Sequence, residues 1–240
     1  MAFYLIGLGL NLESISKEAM EICKKADKTY LENYTVEFPY RIEKLEDVIE
    51  KKIFPITRII VEEESFVDEA KKKNIVLLIY GSPLTATTHI SLILKCKKEN
   101  INYKVFHNAS ILEGITETGL QIYKFGKITS MPIWKENYKP ESFIKIIKEN
   151  KKINAHTLLL VDIGFPFADA LKQLIEVCRR KVKLEKIIVC SKLGTKQSKI
   201  YFCETEELFE KEIYPPFCFI IPGELHFLEK EALDELKEKI

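Results

Sequence analysis

The chain has 240 residues, 46% hydrophobic and 30% charged, a mixture that supplies a sizeable core and excludes fibrous, collagenous and disordered classes. Its 37 basic and 36 acidic residues leave a formal net charge of +1, so no overall field recruits nucleic acid or an anionic membrane. The cysteines, Cys23, Cys96, Cys178, Cys190, Cys203 and Cys218, are dispersed, with no C-x-x-C pair and no histidine at zinc-ligand spacing. They read as buried thiols of a reducing compartment, which points to the cytoplasm and to no metal site.

The opening MAFYLIGLGLNL lacks a basic lead and turns polar at Glu13, so it reads as a strand rather than a signal peptide. A helix follows: Ala19, Ile22, Cys23 and Ala26 fall at i, i+3, i+4 and i+7, and Ser16 offers an N-cap. Further apolar runs, KTYLE, RIIVE, IVLLIY, YKVFH, KITSMP, HTLLLVDI, KIIVCSK, KIYFC and CFIIP, are predicted strands. No run is long and uncharged enough to cross a bilayer. Strand and helix alternate, which predicts an α/β protein with largely parallel sheet and some antiparallel pairing near the end. A boundary within residues 107–127 gives two α/β domains, 1–112 and 113–240.

Several strand ends carry candidate chemistry. GLGLNL resembles a dinucleotide-binding turn, but Leu12 stands where the third glycine belongs and Asn11 to Ser16 delay the helix. Gly7 and Gly9 still permit a ligand or a neighbouring strand to come close. Glu32, closing KTYLE, reads as a solvated strand-end glutamate. GSPLTATTH sets Ser82, Thr85, Thr87, Thr88 and His89 after a strand; a Ser/His hydrolase pair lacks the G-x-S-x-G elbow, leaving helix capping and ligand binding. HNASI delivers Asn108, Ala109 and Ser110 at another strand end, either as a capped helix start or as a ligand contact. IPGELHFLE places His226 beyond an apolar strand.

Taken in order, YLIGLGL, LENYT, GSPLTATTH, HNASI, TGLQIYKFGK, HTLLLVDI and IPGELHFLE resemble the diphthine synthases, the diphthamide-pathway branch of the tetrapyrrole methylase superfamily. HNASI and WKENYKPESF look closer to eukaryotic members. The resemblance implies two α/β domains of the tetrapyrrole methylase type with S-adenosyl-L-methionine in a cleft between them, leaving S-adenosyl-L-homocysteine as product. It implies donor contacts at Leu10, Ser82, Thr85, Ser110, Ile111, Val161, Leu193 and His226, and a homodimer. It also implies methylation of an amino-carboxypropyl-histidine on translation elongation factor two. The arm's amine would take three methyls, and its carboxylate a fourth in eukaryotic-type members. Family members generally carry aspartate where this chain has Ser82, and often lysine where it has Gly164. The alternatives are a donor-binding scaffold of the same fold and a tetrapyrrole or ribosomal-RNA methylase. No residue declares itself as the base that deprotonates the amine; Tyr34, Tyr123 and Phe125 are aromatic candidates to face a growing quaternary ammonium.

Overall fold

A computed structural model describes residues 1–179 and 181–237. The chain divides into two compact units, Met1–Glu113 and Gly114–Ile240.

The first unit holds strands β1 (Ala2–Gly7), β2 (Lys28–Glu32), β3 (Phe54–Ile56), β4 (Asn74–Ile79) and β5 (Tyr103–Phe106). They form one sheet in the order β3-β2-β4-β1-β5, and every pair is parallel, so all five carboxyl ends lie along one edge. Helices α1 (Lys17–Lys25), α2 (Ile42–Ile49), α3 (Arg58–Glu63) and α4 (Ile90–Lys98) join them, and the short α5 (Ile111–Gly114) follows β5. After β1 the chain moves toward β2, whereas after β4 it moves toward β5, so the two crossovers run in opposite directions. Right-handed connections then put the following helices on opposite faces. Accordingly, Ala19 and Cys23 of α1 pack with Ile6, Leu31, Val76 and Leu78, while Leu92 and Cys96 of α4 pack with Phe3, Leu5, Ile75 and Leu77 on the other face. The adjacent ends of β1 and β4 are therefore a topological switch point, where open α/β sheets leave a crevice for ligands.

The second unit holds β6 (Thr129–Met131), β7 (Thr157–Val161), β8 (Lys186–Ser191), β9 (Lys199–Glu204) and β10 (Phe217–Ile221), ordered β6-β7-β10-β8-β9. Here β6 and β7 are parallel, β10 runs antiparallel to both β7 and β8, and β8 and β9 are antiparallel. Helices α6 (Ser142–Lys152) and α7 (Phe167–Cys178) cover one face, burying Phe143, Ile147, Leu171 and Leu174 against Leu159, Ile187, Val189 and Phe219. Helix α8 (Phe227–Lys237) packs against β9.

The structure corrects one predicted strand. RIIVE is helix α3, and the strand beside β2 is Phe54–Ile56. Ile59 is 67% exposed, only Val61 of that run is buried, and Arg58 pairs with Glu62 at i, i+4 over 2.6 Å. A short β-branched run carries no periodicity that separates strand from helix. Pro55 hid β3, since proline suits only an edge strand, which β3 is. All six cysteines are buried free thiols, and burial pushes that of Cys23 up to about 12.

Candidate active site

At the switch point the turns after β1 and β4 are stitched by a two-way backbone bridge: Gly9 N–H donates to Gly81 O over 3.1 Å and Gly81 N–H to Gly9 O over 3.0 Å. Both glycines are left-handed, with φ of 71° and 75°. A Cβ on Gly9 would meet Ser14 Cβ at 2.5 Å, and one on Gly7 would meet the Gly81 carbonyl oxygen at 2.6 Å. The opening glycines thus serve first to let one strand-end turn approach another.

The turn after β5 joins this seam. Asn108 Nδ2 donates to Gly7 O at 3.1 Å and Ser14 O at 2.8 Å. Ser110 lies against Gly81: a Cβ on that glycine would stand 3.6 Å from Ser110 Cα. The Ser110 N–H and hydroxyl both donate to Glu113 Oε2 over 2.6 Å, and Ser110 Oγ accepts from Leu112 N–H at 3.1 Å. This is a capping box, and the Ser110 hydroxyl holds the Glu113 carboxyl below its usual range. The S-x-x-E spacing announces it in the sequence, though Glu113 was not among the expected site residues.

Of those residues, Leu10, Ser82, Thr85 and Ser110 lie on turns at the carboxyl edge of the first unit's sheet, and Ile111 opens α5 directly after the last of these turns. Leu10 is buried and its carbonyl accepts from the Tyr80 hydroxyl at 2.9 Å. Ser82 is buried, and its hydroxyl makes no hydrogen bond among the described residues. Thr87 Oγ1 donates to Pro83 O at 2.8 Å, and His89 Nδ1 donates to the same carbonyl at 3.2 Å. Thr87 and His89 therefore brace the turn, and no Ser/His pair forms. Burial lowers the His89 pKa against the pull of Glu32 and the Pro83 carbonyl, leaving the ring neutral at pH 7.

Glu32 is a correction: it is not solvated but 1% exposed. Its carboxylate accepts from Tyr34 N–H, Thr35 N–H and Thr35 Oγ1, each at 2.8 Å, which shapes the loop after β2. Tyr34 beside it is half-buried, its phenol pushed up to about 12 by burial and then by the charges of Glu32 and Glu62.

In the second unit the topology separates the expected residues. Val161 closes β7, and Leu193 lies in the turn after β8, which runs in the same direction as β7. His226 follows β10, which runs the other way: Ile221 pairs with Thr157 at the start of β7. Four residues at about 3.4 Å each set Ile221, the strand end that leads to His226, roughly 14 Å along the sheet from Val161. The structure does not bring His226 to the edge of Val161 and Leu193. That edge instead receives Phe217, which pairs with Ser191 and, continuing the register by two residues, stands level with Val161.

The surroundings of His226 are a separate buried network, and Glu229, absent from the sequence expectations, is its centre. Glu229 is fully buried and accepts from Gln121 N–H at 2.9 Å, His226 N–H at 2.7 Å, Lys124 Nζ at 2.5 Å and His156 Nε2 at 3.1 Å. Gly223 N–H donates to His156 Nδ1 at 2.9 Å, which fixes the imidazole as its Nε2–H tautomer. The motifs TGLQIYKFGK, HTLLLVDI and IPGELHFLE thus meet in one structural knot. Beside it a cavity of about 670 Å³ is lined by Tyr123, Phe125, Asn154, Glu224, His226 and Phe227. Tyr123 and Phe125 share that cavity, whereas Tyr34 lies in the first unit.

Among the described residues no group of three or more His, Cys, Asp or Glu side chains is arranged to hold a metal ion. No described helix is long and apolar enough to cross a membrane.

Comparison with known proteins agrees with this architecture. Residues 2–208 match the tetrapyrrole (corrin/porphyrin) methylases. The diphthine synthase of Methanocaldococcus jannaschii is 38% identical over 98% of this chain and 99% of its own length. The diphthine methyl ester synthase of Schizosaccharomyces pombe is 32% identical over 96% of this chain and 93% of its own. Overall identity thus does not follow the two eukaryote-like segments. A crystal structure of a diphthine synthase superposes with a TM-score of 0.89 at 29% identity, covering 98% of this chain and 95% of that one. The chain belongs to the tetrapyrrole methylase family and, within it, to the diphthine synthases, S-adenosylmethionine-dependent methyltransferases of diphthamide biosynthesis.

Proposed function

We propose that this chain methylates the amino-carboxypropyl-histidine of translation elongation factor two, adding three methyl groups to the arm's amine, with S-adenosyl-L-methionine as donor and S-adenosyl-L-homocysteine as product. The observation that carries the reading is the near full-length match to relatives named for diphthine, combined with the glycine-stitched turns at the switch point of the first unit. The residues there suit an adenosyl donor. Ser82 offers a hydroxyl with no hydrogen-bond partner among the described residues, and Leu10 and Ile111 offer apolar contact beside it.

The proposed donor contacts are Leu10, Ser82, Thr85, Ser110 and Ile111 of the first unit with Val161 and Leu193 of the second. Phe217 takes the place of His226, on the strand polarity described above. The donor supplies an electrophilic sulfonium methyl. The chain's task is to hold the amine and that methyl in line and exclude water, and alignment of this kind accounts for a large share of the rate without a covalent enzyme intermediate. The site is proposed to work in the cytoplasm, where its substrate serves translation, and as a homodimer.

The test is incubation with S-adenosylmethionine and elongation factor two carrying the unmethylated arm, followed by intact mass. A gain of three methyls is the expected result. A gain of four adds the carboxyl ester, the reaction named for the fission-yeast relative. Donor binding with no gain, beside a control enzyme that works, overturns the reading in favour of a scaffold.

A further inference from the structure

The buried Glu229 knot gathers three segments, 121–126, 153–156 and 223–229, at the amino end of β7. It ties up Lys124 and the N–H groups of Gln121, Gly223 and His226, and leaves large apolar side chains facing outward. Tyr123 is 79% exposed, Ile153 71% and Phe227 69%, all three on the cavity of about 670 Å³, and Ile122 and Leu228 beside them are half-exposed. At about 200 Å² per aromatic side chain, Tyr123 and Phe227 hold out roughly 300 Å². The three aliphatic side chains add about 200 Å², taking roughly 120 Å² for a whole one. A patch of about 500 Å² stands at the upper end of what a monomer leaves in water, and it matches the apolar part of a standard homodimer interface, ~65% of ~800 Å² per partner.

We propose that this patch is the face through which two copies of the chain pair, Tyr123 and Phe227 of each copy entering the cavity of the other. The inference rests on the homodimer proposed above and names its interface. Exposed rings and a cavity lie side by side on one surface, which is the self-complementarity that a two-fold contact demands. The flank of Phe227 carries both signs, Lys230 and Glu231 at i+3 and i+4, while Glu224 and Lys152 are exposed on the other two segments. A two-fold operation therefore sets no block of like charge against itself. The acceptor protein fits this face less well, because it has to reach the proposed donor contacts, and Val161 and Leu193 lie at the opposite end of the second unit's strands.

The full-length parent, Phe227→Glu, Tyr123→Ser and Leu94→Lys are compared by sedimentation velocity across a wide concentration range, with circular dichroism to check the fold. Leu94, a 59% exposed residue of α4 in the first unit, is the control for any apolar surface. An aromatic anchor is lost twice in a two-fold interface, so at about 30-fold apiece Phe227→Glu should raise the dimer dissociation constant roughly a thousandfold, with Leu94→Lys within about twofold of the parent. Tyr123→Ser should act in the same direction as Phe227→Glu. Amide exchange on the parent at low and high concentration gives a second reading that needs no variant to fold. Protection that grows with concentration in residues 121–126, 153–155 and 223–228 supports the face, and protection that spares them overturns it. A folded Phe227→Glu that dimerises like the parent also overturns it, as does a dimer that only Leu94→Lys dissociates. A parent that stays monomeric overturns the homodimer and this inference with it, while methyl transfer by the same sample is decided separately by the mass assay above.

Discussion

Replacing Glu229 by glutamine should destabilise the second unit and flatten its acid sensitivity. The carboxylate is fully buried, and burial alone pushes its pKa up. The Lys124 ammonium, the Gln121 and His226 N–H groups and His156 overcome that and hold it near 2, against 4.5 ordinarily. At about 1.4 kcal/mol per pKa unit, the ionised form gains on the order of 3 kcal/mol from folding. The folded pKa is the depressed one, so this stability is present above pH 4.5 and drains away as pH falls toward 2. Glutamine still accepts from the backbone N–H groups but leaves Lys124 without its charge partner, so Glu229→Gln should cost about 3 kcal/mol at pH 7. Trp134, the chain's one tryptophan, packs against the second unit's core, so its fluorescence reports that unit's unfolding in urea. The parent should lose stability between pH 5 and 3 far more steeply than Glu229→Gln. A variant within about 1 kcal/mol of the parent at pH 7, with the same slope below pH 5, would refute the reasoning.

Gly9→Ala forces a side chain into the left-handed region and onto Ser14 Cβ at 2.5 Å, so about 2 kcal/mol or more of stability should go, together with donor affinity; parent-like melting and calorimetry would contradict the seam. His89 and His156 are both held below their ordinary 6.5 by burial, the first facing the Glu32 carboxylate and the Pro83 carbonyl, the second facing Glu229 and Lys124. The unfolded chain therefore takes up protons that the folded chain refuses, and stability should decline as pH drops below about 6.5. His89→Asn, whose amide can keep the bond to Pro83, should lessen that decline in chemical-denaturation titrations between pH 7 and 5.5, and an unaltered slope would exclude His89 as its source. Phe217→Ala should weaken S-adenosylmethionine binding several-fold while His226→Ala leaves it within about twofold; the reverse order would restore His226 to the donor site.

Much was legible in local pattern. The Ser16 N-cap is realised, its hydroxyl accepting from Ala19 N–H at 3.2 Å, and the helix it starts buries Ala19 and Cys23 as the spacing demands. Alternation of strand and helix dictated the parallel sheet of the first unit, and parallel strands necessarily gather their following turns on one edge, which is why the Leu10, Ser82, Thr85 and Ser110 turns fall together. Other features had no local signal. Whether RIIVE is strand or helix depends on what it packs against, and Glu32 looks like any strand-end acid until the loop after it folds back to bury it. The position of His226 depends on the polarity of β10, a long-range choice of neighbours that no window of sequence encodes. The capping box of Ser110 and Glu113 is written in four consecutive residues, but its place at the switch point comes from the packing of Ser110 on Gly81, residues that only the parallel pairing of β1 with both β4 and β5 brings together.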